Sequence, residues 1–143
     1  MKIDFTERIT PDYIEKLEDN EVFVFGSNLP GLHIGGSANV AHNRWGAVWG
    51  EGVGHHGQTY AIPTMQQGGL ATIIPYVNDF INYAQEHPEL TFLVTEIGCG
   101  ISGFEPCDIA PLFKEAMHLP NIHLPKRFWK AFKKRSNSKS LVQ

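Results

Sequence analysis

Cysteine is nearly missing from this chain: Cys99 and Cys107 are the only two among 143 residues. Two thiols are too few for a disulfide framework, and they lack the C-x-x-C spacing of a structural zinc site. Free thiols in a reducing compartment are the expectation. Long hydrophobic runs are missing as well. No stretch approaches the ~18 consecutive apolar residues of a membrane span. The opening "MKIDFTERIT" also lacks the basic-then-apolar layout of a signal peptide. These absences predict a cytoplasmic protein with no membrane span. What remains, 42% hydrophobic and 19% charged residues, is an ordinary globular mix. The length suits one domain with a real core and leaves no room for a second.

Acidic residues are missing from the C-terminal end. All 15 Asp and Glu precede residue 126, while 7 of the 12 Lys and Arg lie from Lys126 onward. The net charge of −3 therefore divides into −10 over residues 1–125, with five basic residues against fifteen acidic, and +7 over the last 18. That asymmetry predicts a folded unit over 1–125 and a basic helix or tail over 126–143.

The first segment, Thr10-Pro11 followed by "DYIEKLED", reads as an N-cap, a Pro at the first helical position and a short amphipathic helix with Tyr13, Ile14 and Leu17 inward. "VFVF" at 22–25 is continuously apolar, the pattern of a strand covered on both faces of a parallel sheet. Residues 37–45 predict a helix with Ala38, Ala41 and Trp45 on one face. A glycine-broken loop with a short strand at 47–49 follows, and then a strand over 59–64. From Thr72, apolar residues at helical spacing (Ile73, Val77, Phe80, Ile81, Ala84) predict a further helix, with Pro75 in its first turn. "TFLVTEIG" at 91–98 is another apolar strand. Pro106 opens a helix through "CDIAPLFKEAM", and "NIHLP" at 121–125 closes the sheet. Strand, glycine loop and helix in repeated order predict an α/β fold with a mainly parallel sheet.

In such sheets ligands bind beyond the carboxyl ends of the strands. Two glycine-rich loops, "GSNLPGLHIGG" and "GCGISGF", fall there, and each feeds a helix. A helix N-terminus presents unpaired N–H groups and about half a positive charge, which suits phosphate. Residues 98–103 read G-x-G-x-x-G, but no acidic residue about 20 residues on closes a second strand, as a dinucleotide fingerprint requires. No Lys-Ser or Lys-Thr follows the glycines either, so a Walker A loop is excluded.

"FVFGSNLPGLHIGGSANVAHNRWGA", "GQTYAIPT" and "FLVTEIGCGISGFEPCDIAPLF" together resemble the macro-domain-like proteins of bacteria and phages, relatives of the macro domains that recognise ADP-ribose. The similarity covers roughly residues 20–125. It implies a three-layer α/β/α domain that binds ADP-ribose or an ADP-ribosyl conjugate. Where activity is present in that family, it removes ADP-ribose at the distal ribose. The resemblance assigns Asn28 to the distal ribose, and the backbone at Gly35, Gly36 and Ser37 to that ribose and the phosphates. The diphosphate falls to the loop Gly98, Cys99, Gly100, Ile101, Ser102, Gly103 and Phe104, with the Phe104 ring against the distal ribose. No cofactor or metal is implied. The acidic residue that binds the adenine amine in better-known members has no counterpart here, and Asp4 or Asp19 is the candidate to replace it.

Each of these residues also has a structural reading. Asn28 is equally suited to capping a turn, and Gly35-Gly36 to positive φ or close packing. Cys99 is either a nucleophile at a helix N-terminus or a small core residue. Glu96 interrupts an apolar strand, so it is either a general base facing the cleft or the partner of a cation such as Arg44. Glu51, in a glycine-rich loop able to close over a ligand, is the candidate to activate water, alongside a substrate phosphate; otherwise it is a solvated loop charge. His55-His56 point apart in an extended segment, poor geometry for sharing one metal even with His33 or a Cys as third ligand. The tail interleaves Phe128, Trp129 and Phe132 with cations. It reads either as an amphipathic helix for nucleic acid or anionic lipid, or as residues 128–132 docked on the sheet with the last eight residues disordered. The functions that follow are an ADP-ribose-binding domain able to hydrolyse the linkage, a non-catalytic sensor or sponge for an NAD-derived or cyclic nucleotide, and a domain brought to nucleic acid by its tail.

Overall fold

A computed structural model describes residues 6–100 and 102–133 of the chain. Strand β1 (Ile9–Thr10) precedes β2 (Glu21–Ser27), α1 (Gly36–Arg44), β3 (Gly54–His56), β4 (Thr59–Pro63) and α2 (Leu70–Glu86). Then come β5 (Thr91–Val94), a one-turn helix α3 (Pro106–Ile109), a 3-10 helix (Ala110–His118) and β6 (Ile122–Pro125). Residues 126–133 form a last helix, α4. The strands make one sheet in the order β1-β6-β5-β2-β4-β3. Every neighbouring pair is parallel except β3 with β4. Packed helices cover both faces, which makes the protein a three-layer α/β/α domain.

The two faces follow from the strand period of two. Val22 and Val24 of β2 join Ile62 of β4, Phe92 of β5 and the buried stripe of α2 in one apolar cluster, while Phe23 and Phe25 meet Ala38 and Ala41 of α1 on the other side. That is why β2 reads as a continuous apolar run. The α2 stripe is the one its spacing predicts: Ile73, Val77, Phe80, Ile81 and Ala84 are all buried. Burial of each of its larger side chains contributes roughly 1.5–3 kcal/mol.

Four expectations are corrected. Residues 11–18 are not helical, and Tyr13 is 89% exposed, although Ile14 and Leu17 do pack inward. Topology is the reason. β1 lies beyond β6 and β5, so the chain must pass from the carboxyl end of β1 back to the start of β2 across three strand positions, roughly 14 Å sideways. A helix over 11–18 spans only about 12 Å, whereas extended chain reaches more than twice as far. Residues 47–49 form no strand, and the edge strand is instead β3, hairpinned onto β4 through Gly57-Gln58. β5 stops at Val94 because Thr95 turns the chain, giving both its N–H and its hydroxyl to the Val24 carbonyl at 3.1 and 2.8 Å. The helix opened by Pro106 is α-helical only to Ile109, since Pro111 has no N–H to continue the ladder; the chain tightens to 3-10 and kinks at Phe113.

The boundary drawn at residue 125 falls inside the packed unit. Phe128 and Trp129 of α4 are buried in the main cluster with Phe132 against it, and the Trp129 indole donates to the Arg8 carbonyl at 3.0 Å. Lys126, Arg127, Lys130 and Lys133 stay exposed. The aromatic face of α4 is thus spent on the core and leaves only a cationic face to solvent. The expected disorder of the last eight residues lies outside the described residues.

Candidate functional site

At the carboxyl ends of β2, β4 and β5 the chain opens into two adjoining cavities. The smaller, about 390 Å³, lies between the 26–38 segment, the end of β4 and the loop after β5. The larger, about 610 Å³, lies between α1 and residues 10–15. Gly36, Ser37, Thr95 and Glu96 line both, so the two are lobes of one cleft that meet at this junction. Its size suits a small-molecule ligand.

Two walls of the smaller lobe carry unpaired backbone donors, and the first of them reaches the junction. Gly35 caps α1 without a side-chain hydrogen bond, and the first N–H of the helix with a protein acceptor is that of Asn39, 3.3 Å from the Gly35 carbonyl. The N–H groups of Gly36, Ser37 and Ala38 therefore have no partner among the described residues. Gly36 has φ +60° with open space around the position of a Cβ, so glycine serves conformation here and not close packing. Opposite, the loop after β5 bends through short-range bonds: Ile97 N–H to Thr95, Cys99 N–H to Glu96, Gly103 N–H to Gly100 and Phe104 N–H to Gly98. The N–H groups of Gly98, Gly100 and Ser102 alternate with these and likewise have no partner among the described residues. The Ser102 hydroxyl is 2.9 Å from that of Thr64, tying this loop to the end of β4.

The structure brings Asn28, Gly35, Gly36, Ser37, Gly98, Gly100 and Ser102 together along the smaller lobe. Asn28 has a local task as well: its side chain donates to the Leu32 carbonyl at 3.0 Å and accepts the Leu32 N–H at 2.7 Å, which closes the 28–32 turn. One amide hydrogen remains for a ligand. Ile101 lies outside the described residues, as does Asp4.

Other expected residues stand elsewhere. Cys99 does not line the cleft but packs against the main core, and burial, with Glu96 adding to it, pushes its thiol up to about 11. A half-buried thiol with a raised pKa is the opposite of an activated nucleophile. Gly103 also lies off the cleft. Phe104 folds beneath Gly98, where its ring packs on the core rather than over a ribose. Glu51 is outside both lobes, its carboxylate 4.0 Å from His56 and largely exposed. The 46–52 loop is strapped behind the 28–31 turn and not free to close. Gly50 N–H donates to Gly31, the Ser27 hydroxyl donates to the Gly52 carbonyl, and a Cβ on Gly52 would meet the Asn28 oxygen at 2.0 Å.

Glu96 faces the cleft as expected, but its partner is not Arg44. Arg127 of α4 grips both carboxylate oxygens, Nε and an Nη each at 2.6 Å, which holds the guanidinium above its usual range. Arg44 instead lies over the Trp45 ring, 5.6 Å from its centroid. Near the N-terminus Asp12 lines the larger lobe together with Glu15, while Asp19 does not. Only the crossing of 11–20 over the sheet, invisible to local pattern, puts it there. The histidines disperse: His55 Nε2 donates to Gly57 while Nδ1 takes the Tyr83 hydroxyl, and His33 is buried with Nε2 on the Val48 carbonyl. Among the described residues no three His, Cys, Asp or Glu side chains converge. Also among them, no helix is long and apolar enough to cross a membrane.

Comparison with known families, with curated proteins and with solved structures finds no match to the chain.

Proposed function

We propose that this protein is a macro-domain-like module that binds ADP-ribose or an ADP-ribosyl conjugate, with the adenosine half in the larger lobe and the distal ribose in the smaller. The observation that carries the reading is the cleft itself: two adjoining lobes, with two sets of unpaired N–H groups lining the smaller one and the set at the start of α1 reaching the junction. A ligand with two bulky ends and an anionic bridge matches that order, its diphosphate lying between the N-terminus of α1 and the loop after β5. In the larger lobe Asp12 is the acceptor for the adenine amine and Tyr13 supplies an exposed ring face. In the smaller lobe the remaining Asn28 amide hydrogen meets the ribose.

Holding the ligand is favoured over cutting it. Glu96 is the single carboxylate lining the smaller lobe among the described residues, both its oxygens are taken by Arg127, and Glu51 stands outside. Calorimetry with ADP-ribose, NAD and cyclic or phosphorylated relatives tests the binding. If none binds below millimolar, or Asn28→Ala leaves binding unchanged, the reading is wrong. Turnover of ADP-ribosylated protein, ADP-ribosylated DNA or acetylated ADP-ribose would replace the sensor or sponge by a hydrolase. The exposed cations of α4 favour one addition, a salt-sensitive contact with nucleic acid. Loss of low-salt affinity on neutralising Lys126, Lys130 and Lys133 together tests it.

A further inference from the structure

A carboxylate is the wrong group to find at the junction of a cleft for an anion. Glu96 nevertheless lines both lobes there, beside Gly36, Ser37 and Thr95. The charged side chains of the larger lobe add to the problem: Asp12 and Glu15 outnumber Arg44, and the smaller lobe has no cation among its described lining residues. What cancels the charge of the junction is Arg127, which comes from α4 and meets both oxygens of Glu96 in a fork-to-fork pair at 2.6 Å.

We infer that Arg127 is a specificity-determining residue of this cleft: by neutralising Glu96 at the junction it makes the site permissive for a pyrophosphate-bridged ligand, and α4 is thereby part of the binding site. The inference rests on the two-lobed ADP-ribose reading. Arg127 acts through Glu96, so it is a positioning residue and need not touch the ligand. Its anchorage follows from the fold. Phe128 and Trp129, the next two residues, are buried in the core, with Phe128 against the Phe113 ring, and hold the start of α4 in place. The pair itself is partly exposed, so its worth lies in the local charge balance more than in stability.

The decisive experiment measures binding of ADP-ribose and of uncharged adenosine by calorimetry to the full chain, to Arg127→Ala, to Glu96→Gln and to the double variant. A bare carboxylate next to a dianion at a solvent-accessible junction weakens binding about tenfold, so Arg127→Ala lowers ADP-ribose affinity by that factor and leaves adenosine unchanged. Glu96→Gln frees Arg127 for the ligand and tightens ADP-ribose. The double variant returns to within about twofold of wild type, because removing both charges leaves the junction with the same net charge as the intact pair. A merely structural pair gives a different result, with every variant weaker and adenosine lost in parallel. That outcome, or an Arg127→Ala affinity equal to wild type, overturns the inference. Should Arg127→Ala fail to fold, Glu96→Gln decides alone: tighter ADP-ribose supports the inference, while unchanged or weaker binding ends it. Wild-type protein that binds no nucleotide overturns both this inference and the ADP-ribose reading, whereas wild-type binding with insensitive variants overturns only this one.

Discussion

Replacing Arg8 by alanine should destabilise the protein more than a change at a half-buried charge near the N-terminus ordinarily does. Among the described residues the guanidinium has no carboxylate partner, and it serves backbone instead. Nη1 donates to Met117 at 2.9 Å, Nη2 to Ala116, Leu119 and Ile122 at 2.9, 2.7 and 2.9 Å, and Nε to Ile122 at 3.1 Å. Three of these carbonyls lie at the end of the 3-10 helix, where the dipole leaves negative charge, and the fourth is in β6. The same guanidinium stands 5.1 Å from the Trp129 ring centroid. Burial lowers its pKa, so the site tolerates the charge at a desolvation cost that these acceptors offset. A hydrogen bond from a charged donor contributes about 1.5–3 kcal/mol. The bonds share one donor group and are not additive, and the carbonyls regain water in part, so the net loss for Arg8→Ala is about 3–4 kcal/mol. For a chain of this length that corresponds to a fall of roughly 10 °C in Tm. Differential scanning calorimetry of wild type, Arg8→Ala and Arg8→Lys measures it. Lysine, with one ammonium for four carbonyls, should recover less than half of the loss. A Tm within about 3 °C of wild type for the alanine variant would refute the account, and so would full rescue by lysine.

Three other outcomes are expected. Cys99 should resist alkylation at neutral pH while exposed Cys107 reacts, as mass spectrometry of timed iodoacetamide reactions would show; because burial raises the Cys99 pKa from 9.0 to about 11, its contribution to stability is complete below pH 9 and declines as the pH rises toward 11. Gly52→Ala should displace the 28–31 turn, since its Cβ would fall 2.0 Å from the Asn28 oxygen; nucleotide affinity should drop well before the fold does, and unaltered affinity would argue that the turn is no part of the site. Phe128→Ala, at a fully buried position, should cost about 3–5 kcal/mol in urea unfolding, a loss that a detachable basic tail would not show.

How much was legible beforehand depended on whether a feature is local. The α2 stripe and the β2 run were readable because burial on one helix face, or on both strand faces, imposes a period on neighbouring residues. The two loops at the strand ends were readable from glycines that positive φ demands, as at Gly36 and Gly98. Residues 11–18 misled for the same reason: Thr10-Pro11 is a sound helix start locally, but the strand order requires a longer reach than a helix allows. Arg8 carried no signal at all, since its acceptors lie more than a hundred residues away and are backbone atoms, which every sequence contains.

The sequence by itself determined β2, α1, β4, α2 and β6 and their alternation, hence a mostly parallel sheet with its loops at one end, because apolar periodicity and turn chemistry act over a few residues. Only the tertiary structure decided which side chains share the cleft. It packed Cys99 and Phe104 against the core, strapped Glu51 outside, brought Asp12 into the larger lobe and set Arg127 on Glu96. Those outcomes depend on which strands are neighbours and on where α4 docks. Contacts between distant segments are selected by the packing of the whole core, so no local pattern records them.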